Sequence, residues 1–220
     1  MIALNIKTKL ISLTDHEQGL AAAAQSRSAM EAEFLAAIER RSTVTERSLT
    51  VTEAALGQMI VKYSEQVVFQ PLREIRHWFT YASGAFLEPG YPPLFYNDSN
   101  AARCANKSAV AAVGEGIAGF LAQRLYQCRK LARPNHDYPD IVMEGQVQNL
   151  TTTFLVESKA TLQENASIIE TIVAAELPRL ASLTASLKKL DVRPIRGMLI
   201  GTAIISETEY QCYIVELELV

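Results

Sequence analysis

Histidine and cysteine are scarce in this chain, and what there is lies scattered. His16, His77 and His136 do not cluster, which excludes a histidine-rich metal site. Cys104, Cys128 and Cys212 are odd in number and form no CxxC pair, so neither zinc nor a disulfide framework is expected. They read as reduced, buried thiols of a cytoplasmic protein. No apolar run is long enough for a membrane span. The opening MIALNIKTKLISLTDHE lacks a long apolar segment followed by a small-residue cleavage site, so no signal peptide is read. A GxxxxGK[ST] loop is missing, which argues against nucleotide hydrolysis, and GxSxG is missing too. Neither sign of charge dominates, for the net charge is −3. Any phosphate-binding surface must therefore be local.

What is present suits a packed domain. Hydrophobic residues make up 49% of 220 positions, enough for one large domain or a domain with a helical extension. Ile2, Leu4 and Ile6 alternate and predict a first strand. Residues 15–41 read as one helix, with Met30, Phe34 and Ile38 on one stripe. Arg40, Arg41 and Arg47 then form a basic spot, read as a solvated face. A second helix is expected after Thr52, with Leu56, Ile60 and Tyr63 along one side, and a third from Pro71, carrying Leu72, Ile75 and Phe79. The stretch SGAFLEPGYPPLFYNDSNAARCANK, ending at Lys107, reads as a long loop. A helix follows over 108–131, buried through Ile117, Leu121, Leu125 and Cys128. Strands are predicted at 139–145 and 150–160, with Glu144-Gly145-Gln146 opening the hairpin connection. A helix over 162–187 is expected to kink or divide at Pro178. Strands at 196–206 and 209–219 end the chain.

One constellation stands out. Tyr138-Pro139-Asp140 opens a strand, and TFLVESK carries Glu157 and Lys159 into charge at the end of another. Side chains alternate along a strand, so Glu157 and Lys159 share a face while Phe154, Val156 and Ser158 take the other. If the two strands pair, Asp140 meets the Glu157–Lys159 pair. Two crowded carboxylates repel one another and resist desolvation, and a hard divalent cation removes that cost. The plainer reading is that Asp140 caps a turn and that Glu157 and Lys159 are a surface ion pair on an edge strand.

PD, a hairpin-length spacer and ExK, each within an apolar strand, resemble the PD-(D/E)xK nuclease superfamily. Glu115, in Gly114-Glu115-Gly116, matches the acidic residue that this family carries on the helix before its first core strand. The resemblance covers the second half of the chain. It implies an α/β restriction-endonuclease-like core, α-β-β-β-α-β with a mixed central sheet, over 107–220. Residues 1–106 would be a mainly helical N-terminal region with a first strand. The first core strand has to fall within 126–137, where YQCRKLARPNHD gives little strand signal. The resemblance also implies Mg²⁺, with Mn²⁺ as a substitute, held by Asp140, Glu157, the backbone carbonyl of Ser158, and Glu115 directly or through water. Lys159 would position the attacking water. Gln163 and Glu164 are candidates for a polar residue on the following helix, and His136 for a substrate contact. The Gln-x-x-x-Tyr pattern of the recombination nucleases is absent after Lys159.

The function implied is a metal-dependent endonuclease acting on DNA, in restriction or antiphage defence by analogy with the superfamily. Arg124, Arg129, Lys130 and Arg133 form one basic group flanking the site in the chain. Lys188 and Lys189, followed by Arg193 and Arg196, form another. The alternative from another class is a non-catalytic nuclease-fold subunit. It would bind DNA or dock a partner, such as a helicase or another defence subunit, through the N-terminal helices. A homodimer is left open, and no membrane partner is implied.

Overall fold

The computed structural model describes residues 1–40, 42–83, 106–134, 138–162, 165, 167–190 and 193–220. Among them are β1 (Ile2–Leu13), α1 (Asp15–Ala24), α2 (Ser28–Glu39), β2 (Ser42–Val51), α3 (Glu53–Tyr63), α4 (Pro71–Ser83) and α5 (Lys107–Tyr126). Then come β3 (Arg129–Ala132), β4 (Ile141–Val147), β5 (Leu150–Thr161), α6 (Ser167–Lys188), β6 (Ile195–Ile204) and β7 (Glu209–Leu219). The expected loop with Cys104, and His136, Gln163 and Glu164, lie outside the described residues.

The seven strands form one mixed sheet in the order β2-β1-β7-β6-β5-β4-β3. β1 runs parallel to β7 and β5 parallel to β6; the other neighbours are antiparallel. Strand alternation sends Leu4, Ile6, Ile141, Met143, Phe154, Val156, Met198 and Ile200 to one face, where they pack with α3 and α5. Ile11, Leu155, Leu199, Val215 and Leu217 pack on the other with α1, α2 and α6. The result is a sheet between two helical layers. The sheet also runs across the expected boundary at 106/107, because β1 is hydrogen-bonded to β7 along its length.

Several elements differ from the sequence reading. The helix expected over 15–41 is two helices: Arg27 is extended (φ −141°, ψ 102°) and caps a new start. β2 carries Arg47 of the basic spot. It is an edge strand with most residues exposed, so burial imposed no alternation on it. α5 stops at Tyr126 rather than Leu131, because Gln127 turns into the left-handed region (φ 52°) and lets the Cys128 N–H return to the Ala122 carbonyl at 3.2 Å. The freed chain forms β3 against β4. The hairpin turns not at Gly145 but at Gln148 and Asn149, both with positive φ, between the paired Val147 and Leu150. Gly145 lies inside β4, where an added Cβ would come within 2.8 Å of Cys128 Sγ. α6 continues through Pro178 undivided.

Candidate active site

The β4–β5 ladder ends at the pair Ile141–Val156. β5 runs on through Glu157, Ser158 and Lys159, which pair with β6 on one side only. On the open side, Asp140 takes the place of a strand. The Ser158 N–H donates to Asp140 Oδ2 at 2.7 Å, and the Asp140 N–H donates to Glu157 Oε2 at 3.1 Å. These two bonds hold the acids, 17 residues apart in the chain, side by side: Glu157 on the Asp140 backbone, and Asp140 on the backbone of Ser158, next to Glu157. A strand residue directs its N–H and C=O to the same side, so the Ser158 carbonyl also faces the notch. Lys159 Nζ donates to Glu157 Oε1 at 2.8 Å and lies 3.5 Å from Glu176 Oε1 of α6.

Burial sets the electrostatics. Glu157 is only 4% exposed. Desolvation, then the charge of Glu157, pushes the Asp140 carboxyl up to about 7; the Ser158 N–H and Lys159 oppose this, and Glu115 adds to it. Glu157 is also raised, by burial first, against the pull of Lys159 and the Asp140 N–H. Burial disfavours the Lys159 charge, but Glu157, Glu176 and Asp140 outweigh it and hold its pKa above the ordinary lysine value. Lys159 is therefore an ammonium at neutral pH.

Glu115 lies on α5. That helix can approach β5 because an added Cβ at Gly114 would stand 2.5 Å from the Ala160 Cβ. Glu115 is 6% exposed, and both its oxygens are engaged. One accepts from the Glu65 N–H at 2.7 Å and lies 3.4 Å from Arg133 Nη2; the other accepts from Gln66 Nε2 at 3.2 Å. Its charge reaches Asp140, while its bonds tie α5 to the chain that follows α3.

The donors present suit a hard cation. Among the described residues, no group of three or more His, Cys, Asp or Glu stands together as a ready ligand set. Asp140 and Glu157 do stand together, and nothing among the described residues bonds the second oxygen of Asp140. Two carboxylates, a carbonyl and open positions for water or phosphate oxygen match the preference of Mg²⁺.

The residues of the two expected basic groups are held in different ways. Arg133 points inward, to Glu115 and the Tyr63 carbonyl. Arg129 is exposed and holds Glu144 with two nitrogens at 2.7 and 2.9 Å. Lys130 donates to the Lys62 carbonyl at 2.6 Å and sits over the Tyr63 ring. Burial, then Arg133 and Lys62, lowers its pKa. Arg124 lies in the last turn of α5. Lys188 lies at the end of α6, 3.5 Å from the Leu219 carbonyl, and Lys189 beside it is exposed. Arg196 is half-buried and paired with Glu216 and Glu218.

Sequence reasoning missed two residues: Glu176 against Lys159, and Arg179 over Tyr138 with its guanidinium carbon 4.0 Å from the ring centroid. The only signal in the sequence was the three-residue spacing of Glu176 and Arg179 on α6, which is ordinary for a solvated helix face. Comparison with protein-family models, with curated proteins and with solved structures finds no match to this chain.

Proposed function

We propose that this chain is a metal-dependent nuclease of the PD-(D/E)xK type that hydrolyses phosphodiester bonds in DNA. The observation that carries the reading is the latch of Asp140 and Glu157 at the point where β4 and β5 part, with Lys159 bonded to Glu157. The run α5-β3-β4-β5-α6-β6 also follows the α-β-β-β-α-β order that the resemblance implies. The non-catalytic alternative would be favoured by acids all locked in ion pairs. Glu157 and Glu115 do have cationic partners, but Asp140 has none and keeps an oxygen unbonded among the described residues.

Asp140, Glu157 and the Ser158 carbonyl would hold the Mg²⁺, with Glu115 acting through water because its oxygens are occupied. A bound Mg²⁺ would supply Lewis-acid polarisation of the phosphate. The chain's own contribution centres on Lys159. As an ammonium it cannot accept the proton of the attacking water. It donates hydrogen bonds instead, orienting that water and neutralising charge that grows on the phosphoryl oxygens. Water adds its oxygen to phosphorus and its proton passes to solvent, while the bond to the leaving strand oxygen breaks in line and that oxygen takes a proton from solvent to become a hydroxyl.

Incubation with plasmid, linear and single-stranded DNA, with Mg²⁺ or with EDTA, is the direct test. Cleavage should require Mg²⁺. Lys159→Ala and Glu157→Ala should each abolish it, and Lys159→Ala should retain most DNA binding, because its loss belongs to the transition state. Wild-type cleavage by both variants would remove this site from the chemistry.

A further inference from the structure

We propose that Arg179, held over the Tyr138 ring, binds a non-bridging phosphate oxygen of the nucleic-acid strand lying in the Asp140–Glu157 site. This rests on the nuclease reading and adds a substrate contact that the sequence motif does not contain. Arg179 is exposed, and its guanidinium carbon is 4.0 Å from the centroid of the Tyr138 ring, two residues before Asp140. On α6 it stands one turn from Glu176, whose carboxylate lies 3.5 Å from Lys159 Nζ. The contact therefore borders the same notch.

An arginine placed here only to neutralise the acids would pair with one of them. Glu176 is three residues away on the same helix, yet it pairs with Lys159, and Glu157 pairs with Lys159 as well. Among the described residues Arg179 forms no ion pair, and its contact is the face of an aromatic ring. The ring contact restrains the guanidinium, and none of its N–H groups is hydrogen-bonded among the described residues, so they can meet the oxygens of a phosphate. Asp140, Glu157 and Glu176 would repel a phosphate, and a cation fixed beside them offsets that repulsion. A contact to the backbone carries no base information, so the ligand is a phosphodiester strand without sequence preference at this position.

The test uses the full chain with Arg179→Met and Arg179→Lys. Binding of single-stranded and duplex oligonucleotides is measured in Ca²⁺ at several salt concentrations, cleavage in Mg²⁺, and thermal stability as a control. For Arg179→Met, binding should weaken roughly tenfold for every sequence. The slope of log K against log salt should fall by about one. KM should rise more than kcat falls, with melting unchanged. Arg179→Lys should keep the slope and lose less affinity. Should Arg179→Met fail to fold, Arg179→Gln carries the same comparison. A wild type that cleaves, with variants keeping its slope and KM, overturns the Arg179 assignment alone. A wild type that neither binds nor cleaves any DNA overturns the nuclease reading and the assignment together.

Discussion

Asp140 carries the highest electrostatic cost in the site, and that cost can be measured without substrate. Its carboxyl is held at about 7 in the folded chain, by burial and then by Glu157, against an ordinary value of 3.8. The folded state thus holds this proton more tightly than the unfolded state does. Stability from the neutral form is fully present below about pH 4 and is lost as pH rises through 7. The difference of about three units corresponds to something on the order of 4 kcal/mol above pH 7. Asp140→Asn keeps an oxygen for the Ser158 N–H and removes the charge. In EDTA it should melt above the wild type at pH 8, with the two converging near pH 4. Equal melting at both pH values would show that the acids are not crowded. Mg²⁺ should stabilise the wild type more at pH 8 than at pH 6, because binding displaces the same proton. Asp140→Asn should lose that response. At this scale strand alternation put Glu157 and Lys159 on one face of β5, whereas Asp140, one residue before β4, is placed by its bonds to Glu157 and Ser158. The sequence did not disclose Arg179 or Glu176, which reach the site only through the docking of α6.

α5 illustrates how an element positions a residue. Its glycines abut neighbours on two sides: a Cβ at Gly114 would meet Ala160, and one at Gly119 would lie 2.1 Å from the Tyr63 ring. Gly119→Ala should therefore push α5 from α3 and cost roughly 1–3 kcal/mol by chemical denaturation. Arg133 fastens the same region by bonding Glu115 and the Tyr63 carbonyl. Arg133→Met leaves Glu115 buried without its cationic partner, a loss in the range of about 3–5 kcal/mol. Arg133→Met together with Glu115→Gln should recover much of it. No recovery in the double variant would mean that Arg133 does not act through Glu115. Elements rich in buried apolar residues were legible in the sequence: β1 and α3 through one buried face, and α5, β6 and β7 through near-continuous apolar runs. β2 was not, since solvent covers most of it. The turn at Gln148-Asn149 was hidden because the neighbouring glycine, the usual turn residue, serves instead to admit Cys128.

At the scale of the whole molecule, the resemblance to a nuclease core covers only the second half of the chain, but the sheet does not respect that limit. β1 lies between β2 and β7, and its Ile2, Leu4 and Ile6 are buried in the layer that holds α5. Ile11 and Leu13 are buried in the opposite layer. Leu56, Ile60 and Tyr63 of α3 pack against α5 as well. A fragment of residues 107–220 would expose the β7 edge along eleven residues, from Glu209 to Leu219, which β1 covers by hydrogen bonding. It would also uncover apolar surface on both faces of the sheet. An unpaired edge flanked by exposed apolar side chains favours association between chains over folding. The fragment should therefore aggregate or lack a cooperative melting transition, although it contains Glu115, Asp140, Glu157 and Lys159. Supplying residues 1–83 as a separate chain should restore solubility and, if the site cleaves DNA, restore cleavage with it. A fragment of 107–220 that melts cooperatively and cleaves DNA unaided would show that β1 and α3 are attachments to an autonomous core rather than parts of it. Size-exclusion chromatography, a thermal melt and a plasmid assay on the fragment, alone and with its complement, would distinguish the two.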